Sequence, residues 1–144
     1  MFRLALLAIL AAPAAWADYV RVEAQGSVAE VADRLASAVE GAGATVFARV
    51  DHGAGAASVD MPVPDSVLLI FGNPQLGTPA ISADPRAGLV LPLRVLVHDD
   101  GGQTVMVYEE VEEMFGEMDI DDDAEFVGAM EGALENLTGA AASP

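Results

Sequence analysis

The chain contains no cysteine and no lysine. Without cysteine it has no disulfide staple, no thiol nucleophile and no zinc–thiolate centre, so its stability must come from core packing. Without lysine, six arginines stand against 23 acidic residues, for a formal net charge of −17. That balance excludes nucleic acid as a partner, because phosphates demand basic patches, and it argues against anionic membrane surfaces. Two readings of the charge stand: a solubilising surface, or a docking face for a cationic partner. Glycine-rich phosphate loops of the GxGxxG or Walker type are absent. No serine sits in a nucleophile-elbow setting, Ser58 and Ser66 included. Beyond residue 17 there is no apolar run long enough to cross a bilayer.

The N-terminus carries one positive charge at Arg3, then the apolar run Leu4 to Ala15, then Ala15-Trp16-Ala17. A short apolar run with a small-x-small site predicts a secretory signal peptide over residues 1–17, cleaved between Ala17 and Asp18. The run falls well short of the ~20 residues that span a bilayer. The expected product is periplasmic or secreted, with one domain over 18–138 and a disordered tail over 139–144.

Tyr19 to Ala24 alternates as a strand. Ser27-Val28-Ala29-Glu30 is a capping box, and Val28, Val31, Leu35 and Val39 follow at helical spacing until Gly41 or Gly43. Ala44 to Val50 reads as a second strand. His52 to Ala57 reads as a loop or a short irregular helix. Ser66 to Phe71 is a strand apolar on both faces, expected to be covered by a helix on one side and by a loop or a partner subunit on the other. Residues 72–87 read as a long connection with a helical turn around Thr78–Ala83. Gly88 to Val97 reads as a fourth strand, with Pro92 marking an edge or a bulge. Asp99-Asp100-Gly101-Gly102 turns the chain into a fifth strand, Gln103–Tyr108. Twelve acids and no base lie between Glu109 and Glu135. Within that stretch Asp121 to Glu125 opens a last helix with Val127, Met130, Leu134 and Leu137 on its apolar side. The order β-α-β-β-β-β-α predicts one α+β domain, an antiparallel sheet with helices on one face.

Several motifs recur in a known order: Thr45 to His52 after the first helix, then Leu69-Ile70-Phe71-Gly72-Asn73-Pro74, Gly77-Thr78-Pro79, and Leu91-Pro92-Leu93-Arg94-Val95-Leu96-Val97. In this combination the chain resembles the domain-of-unknown-function family number 302, over roughly residues 27–110. The resemblance implies a compact α+β unit of TATA-binding-protein-like topology, often dimeric, with no assigned reaction. The acidic region after Glu109 lies outside these motifs.

Four groups of residues carry candidate chemistry. Asp51-His52 pairs a carboxylate with an imidazole, as a general base would need. Neighbours on a strand point to opposite faces, so the alternative is an Asp that caps the following turn beside a solvated His. Gly72, Asn73 and Thr78 offer a polar loop at a strand end where a small ligand would sit, or merely shape the connection. Arg94 and Arg49 interrupt apolar strands. Either grips a ligand carboxylate or forms an internal or intersubunit pair with an acid such as Asp51. Asp119-x-Asp121-x-Asp123-x-Glu125 has the spacing of a calcium loop, but Ala124 replaces its glycine and Met130 its final glutamate. His98-Asp99-Asp100 reads as a polar hairpin end.

The sequence therefore predicts a secreted or periplasmic, dimeric, non-catalytic binding module without a metal or cofactor. Its candidate ligand-binding residues are Asp51, His52, Gly72, Asn73, Thr78 and Arg94, and the expected ligand is a small anion. The alternative is a small enzyme with Asp51/His52 as acid/base and Arg94 as anion anchor. A third class is a calcium-modulated protein built on residues 109–125.

Overall fold

The computed structural model describes residues 19–144; the expected signal peptide and its cleavage site lie outside the described residues. The elements are β1 (Tyr19–Glu23), α1 (Val28–Gly41), β2 (Thr45–Asp51), α2 (His52–Ala57), β3 (Ser66–Gly72), α3 (Pro74–Ala83), α4 (Ala87–Val90), β4 (Leu93–Asp100), β5 (Gln103–Glu109), α5 (Val111–Phe115) and α6 (Glu125–Ala141). The strands form one antiparallel sheet in the order β1-β5-β4-β3-β2. The predicted α+β class and its β-α-β-β-β-β-α order hold, with four short helices added to the connections and the acidic stretch.

Helix α1 begins as its capping box dictates. The Glu30 amide donates to Ser27 Oγ at 3.3 Å, and the Ser27 amide donates to Glu30 Oε2 at 2.8 Å. Its buried stripe of Val28, Val31, Ala32, Leu35 and Val39 lies on the sheet. The inner sheet face contributes Val67, Leu69 and Phe71 from β3 and Leu93, Val95 and Val97 from β4. Helix α6 packs on α1 and α3, completing the helical layer.

Strand β3 is covered unevenly. Only its inner side is fully buried; Leu68 and Ile70 on the outer face are half-buried. Among the described residues no loop or helix fully covers that outer face, where the apolar pattern predicts a loop or a partner subunit. Elsewhere on that outer face Val105 is fully buried. The Arg21 guanidinium joins Glu23 on β1 to Asp100 on β4, both at 2.9 Å, and so bridges over β5 at the level of Val105. At the opposite edge, the β2–β3 register slips between Val46 and Ala48, leaving Phe47 as a bulge.

The region 72–92 differs most from the sequence reading. Residues 74–83 form a full helix rather than a turn, because Asn73 caps it and Pro74 occupies the first turn, where no amide donor is needed. Residues 87–90 are helical, so β4 starts at Leu93 rather than Gly88. Pro92 precedes the strand, after a cis Leu91–Pro92 bond, and marks neither an edge nor a bulge of the central β4. At the C-terminus α6 runs through the expected tail to Ala141, which is buried. The Gln25 amide donates to the Ala142 carbonyl at 2.8 Å, and Arg34 Nε donates to the Ala141 carbonyl at 3.0 Å.

Candidate functional site

Strand β3 ends at Gly72, and the chain turns at once into α3. The Asn73 side-chain oxygen accepts from the Gln75 amide at 2.9 Å, satisfying one of the orphan donors of the helix start. Its amide nitrogen takes no part in the cap. After α3 and α4 the chain returns at Pro92 and Leu93, beside Phe71 and Gly72. Between the outgoing and returning segments lies a cleft of about 280 Å³. Phe47, Leu76, Ile81, Leu91 and Met130 supply its apolar lining, and Asn73 and Thr78 its polar groups. A Cβ on residue 72 would stand 3.4 Å from both Phe47 Cε2 and Pro92 Cβ, so glycine keeps this wall of the cleft open.

Three of the six predicted residues, Gly72, Asn73 and Thr78, meet in this cleft. The other three lie elsewhere. Asp51 pairs with Val67 and Gly72 with Thr45, at opposite ends of the β2–β3 ladder, about 17 Å apart. Asp51 caps α2, its carboxylate accepting from the Ala54 amide at 2.8 Å, and His52 is exposed. Arg94 faces the outer side of the sheet, opposite Ile70, in a separate hollow with Leu68, Leu96, Val107 and Glu109.

Both arginines have an internal acidic partner, one of the two expected readings, but neither partner is Asp51. Arg94 is 42% exposed and its nearest carboxylate, Glu109, is 3.9 Å away. Arg49 pairs with Asp33 of α1 rather than with Asp51. Strand alternation puts one arginine on the solvated outer face and the other at the rim of an edge strand, so neither guanidinium is buried. Arg94→Met should therefore leave the free energy of urea unfolding within about 1 kcal/mol, as exposed ion pairs generally do. A loss several times larger would show that Arg94 holds the sheet together.

Sequence reasoning missed the most constrained polar group near the cleft, Asp84. It is only 6% exposed and receives donors from three directions. Arg86 grips it through Nε at 3.1 Å and Nη2 at 2.6 Å, and the backbone amides of Arg86 and Asp119 reach it at 2.9 and 3.0 Å. The Arg86 side chain above all, then the amides of Asp119 and Arg86, hold its carboxyl well below the usual range. Asp84 therefore stays ionised and acts as a clamp. It fixes the turn that opens α4 and ties it to the loop between α5 and α6. The signal was Asp84-Pro85-Arg86, but its partner Asp119 is 35 residues away.

Asp119 is also the first residue of the calcium-like pattern, and here its backbone serves Asp84. Among the described residues no three His, Asp or Glu gather closely enough to hold a metal ion.

A model of the family described as domain of unknown function DUF302 matches residues 20–142. The match runs past Glu109, so the acidic segment belongs to the shared domain, which the motifs alone did not indicate. A crystal structure of an uncharacterized conserved protein DUF302 from Bacillus stearothermophilus superposes with a TM-score of 0.80 at 17% identity. It covers 87% of this chain and 98% of that one, and at this identity the likeness carries the fold alone. Two curated relatives, the fluoride-specific ion channels FluC 1 of Brucella suis biovar 1 and of Brucella abortus biovar 1, are each 45% identical over 86 residues. That stretch is 60% of this chain but only 34% and 32% of theirs, so the chain spans about a third of the curated relatives it matches. No helix among the described residues is long and apolar enough to cross a membrane. The channel activity in those names is that of proteins about three times the length of the matched stretch.

Proposed function

Since the chain belongs to the DUF302 family, whose domains have no assigned reaction, we propose on its own geometry that it is a non-catalytic binding module for a small, largely apolar molecule. The cleft at the end of β3 carries this reading. It has an apolar lining, two polar groups at Asn73 and Thr78, and a volume near the lower end of the ~300–1,000 Å³ usual for ligand sites. Among the described residues no arginine lines it, so the anion expected from Arg94 is replaced by an uncharged ligand. The enzyme alternative lacks support from geometry. Acid, base and anion anchor must converge on one reacting atom, whereas Asp51 is engaged in capping, His52 is exposed and Arg94 lies on another face.

The neutral fluorophore N-phenyl-1-naphthylamine tests this. It should bind the wild-type protein saturably at one site, and Ile81→Trp, which fills the cleft from a side chain 43% exposed, should weaken binding at least about tenfold. Unchanged binding in the variant would place the site elsewhere.

Export and pairing complete the proposal. The Ala15-Trp16-Ala17 site supports a mature chain beginning at Asp18. The half-buried outer face around Leu68, Ile70, Leu96 and Val107 supports a second copy packing there. Native mass spectrometry of protein recovered after export reads both at once: the expected mass is twice that of residues 18–144. A chain that retains Met1 would end the export reading, and a single-chain mass at micromolar concentration would end the dimer.

A further inference from the structure

A second cleft, of about 560 Å³, opens between the β1 edge of the sheet and α6. Helix α6 packs chiefly on α1 and α3 and stands off from β1. The gap closes at one end, where the Gln25 amide meets the Ala142 carbonyl. Its floor is apolar, with Val20 and Val22 of β1 facing Leu134 of α6. Its rim is acidic. Glu131 and Glu135 flank Leu134 on one side of α6, at the three- and four-residue spacing of a helix face, and Glu110 stands opposite. Among the described residues no cation lines the cleft; Arg34, beyond its closed end, is engaged by the carbonyls of Gln25 and Ala141.

An apolar trough with a one-signed rim is complementary to one kind of molecule. We infer that this cleft binds a small cationic amphiphile: a primary or quaternary ammonium on an apolar chain of roughly six to ten carbons, the chain lying along Val22 and Leu134 and the head among Glu110, Glu131 and Glu135. The occupant follows from charge complementarity. An anionic amphiphile would meet three carboxylates, and a neutral one would leave them crowded. Burial first, and then the negative charges of Glu112, Glu110 and Asp122, push the Glu131 carboxyl up. An ammonium at the rim relieves that repulsion. The site is separate from the cleft at the end of β3 and does not depend on it.

The test uses three probes of equal length, n-octylammonium, n-octanol and n-octanoate, titrated calorimetrically into the intact protein. Octylammonium should bind about tenfold more tightly than octanol, with octanoate weakest, given what two or three partly exposed ion pairs contribute. Glu131→Gln with Glu135→Gln should remove about tenfold of that affinity. The same loss of charge at the distant, exposed Asp60 and Glu40 should change it by less than about threefold. Val22→Trp, on a half-buried edge strand, should block the trough, and Ile81→Trp should not matter. Four outcomes would overturn the inference: equal affinity for ammonium and alcohol, an equal effect of the distant pair, full binding in Val22→Trp, or no binding of any probe at millimolar concentration.

Discussion

Phe71→Ala should cost the domain about 3–5 kcal/mol, the range for removing a fully buried aromatic ring from a core that cannot collapse around the void. Phe71 is 1% exposed and pairs with Val46 and Leu93 across the two neighbouring strands. Its cross-strand partner Leu93 lines the cleft, so the void lies beside that part of the cleft wall. Urea unfolding measures the loss. Binding of N-phenyl-1-naphthylamine should weaken in the same variant even where the protein remains folded. Ile70→Ala, one residue earlier on the half-buried outer face, should cost roughly half as much, because less area leaves water there on folding. Equal losses would mean that the outer face is as well covered as the inner one.

Asp84→Asn should lower the thermal midpoint at neutral pH by roughly 5–10 °C, a large step for a domain of this size. The amide keeps an acceptor for one backbone N–H but loses the charge that holds Arg86. The pH dependence separates this from a packing defect. The native carboxyl lies below its ordinary value, held there first by Arg86 and then by the amides of Asp119 and Arg86. A depressed carboxyl adds stability above its unfolded pKa of about 3.9 and loses it as pH falls through the lower folded value. The gap between wild type and variant should be full at pH 7, shrink below about pH 4, and keep closing in stronger acid. A gap independent of pH would assign the effect to packing alone.

The sequence made legible whatever is decided locally. The capping box of Ser27 and Glu30, the stripe of α1, the alternation of β1 and the Asp99–Gly102 hairpin all depend on residues within a few positions of one another, and each stands where expected. The stretch 72–92 resisted because its signals are ambiguous. Asn73-Pro74 begins a turn as well as it caps a helix, and Pro79 reads as a breaker although it sits inside α3. Leu89, Val90 and Leu91 look like strand. What makes residues 87–90 helical is the turn that Asp84 fixes with help from Asp119, far along the chain. The site was half legible for the same reason. Gly72, Asn73 and Thr78 are neighbours in sequence and stay together. Separating them from His52 and Arg94 required knowing that β2 and β3 are antiparallel and that Arg94 and Val95 face opposite sides. The second cleft left no local trace, since it is a gap between the edge strand β1 and a helix more than a hundred residues away.

The bulge at Phe47 also decides how the molecule behaves in company. A sheet with two free edges offers two rows of unpaired backbone groups, and a flat, regular edge is a template on which another chain extends the ladder. At β2 the extra residue breaks the spacing of those groups and twists the edge, while β1 carries Arg21 and Glu23 at its own border. Each border is thus a poor seed for strand-by-strand growth, which protects a cysteine-free chain with a high apolar content from fibrous polymerisation in crowded surroundings.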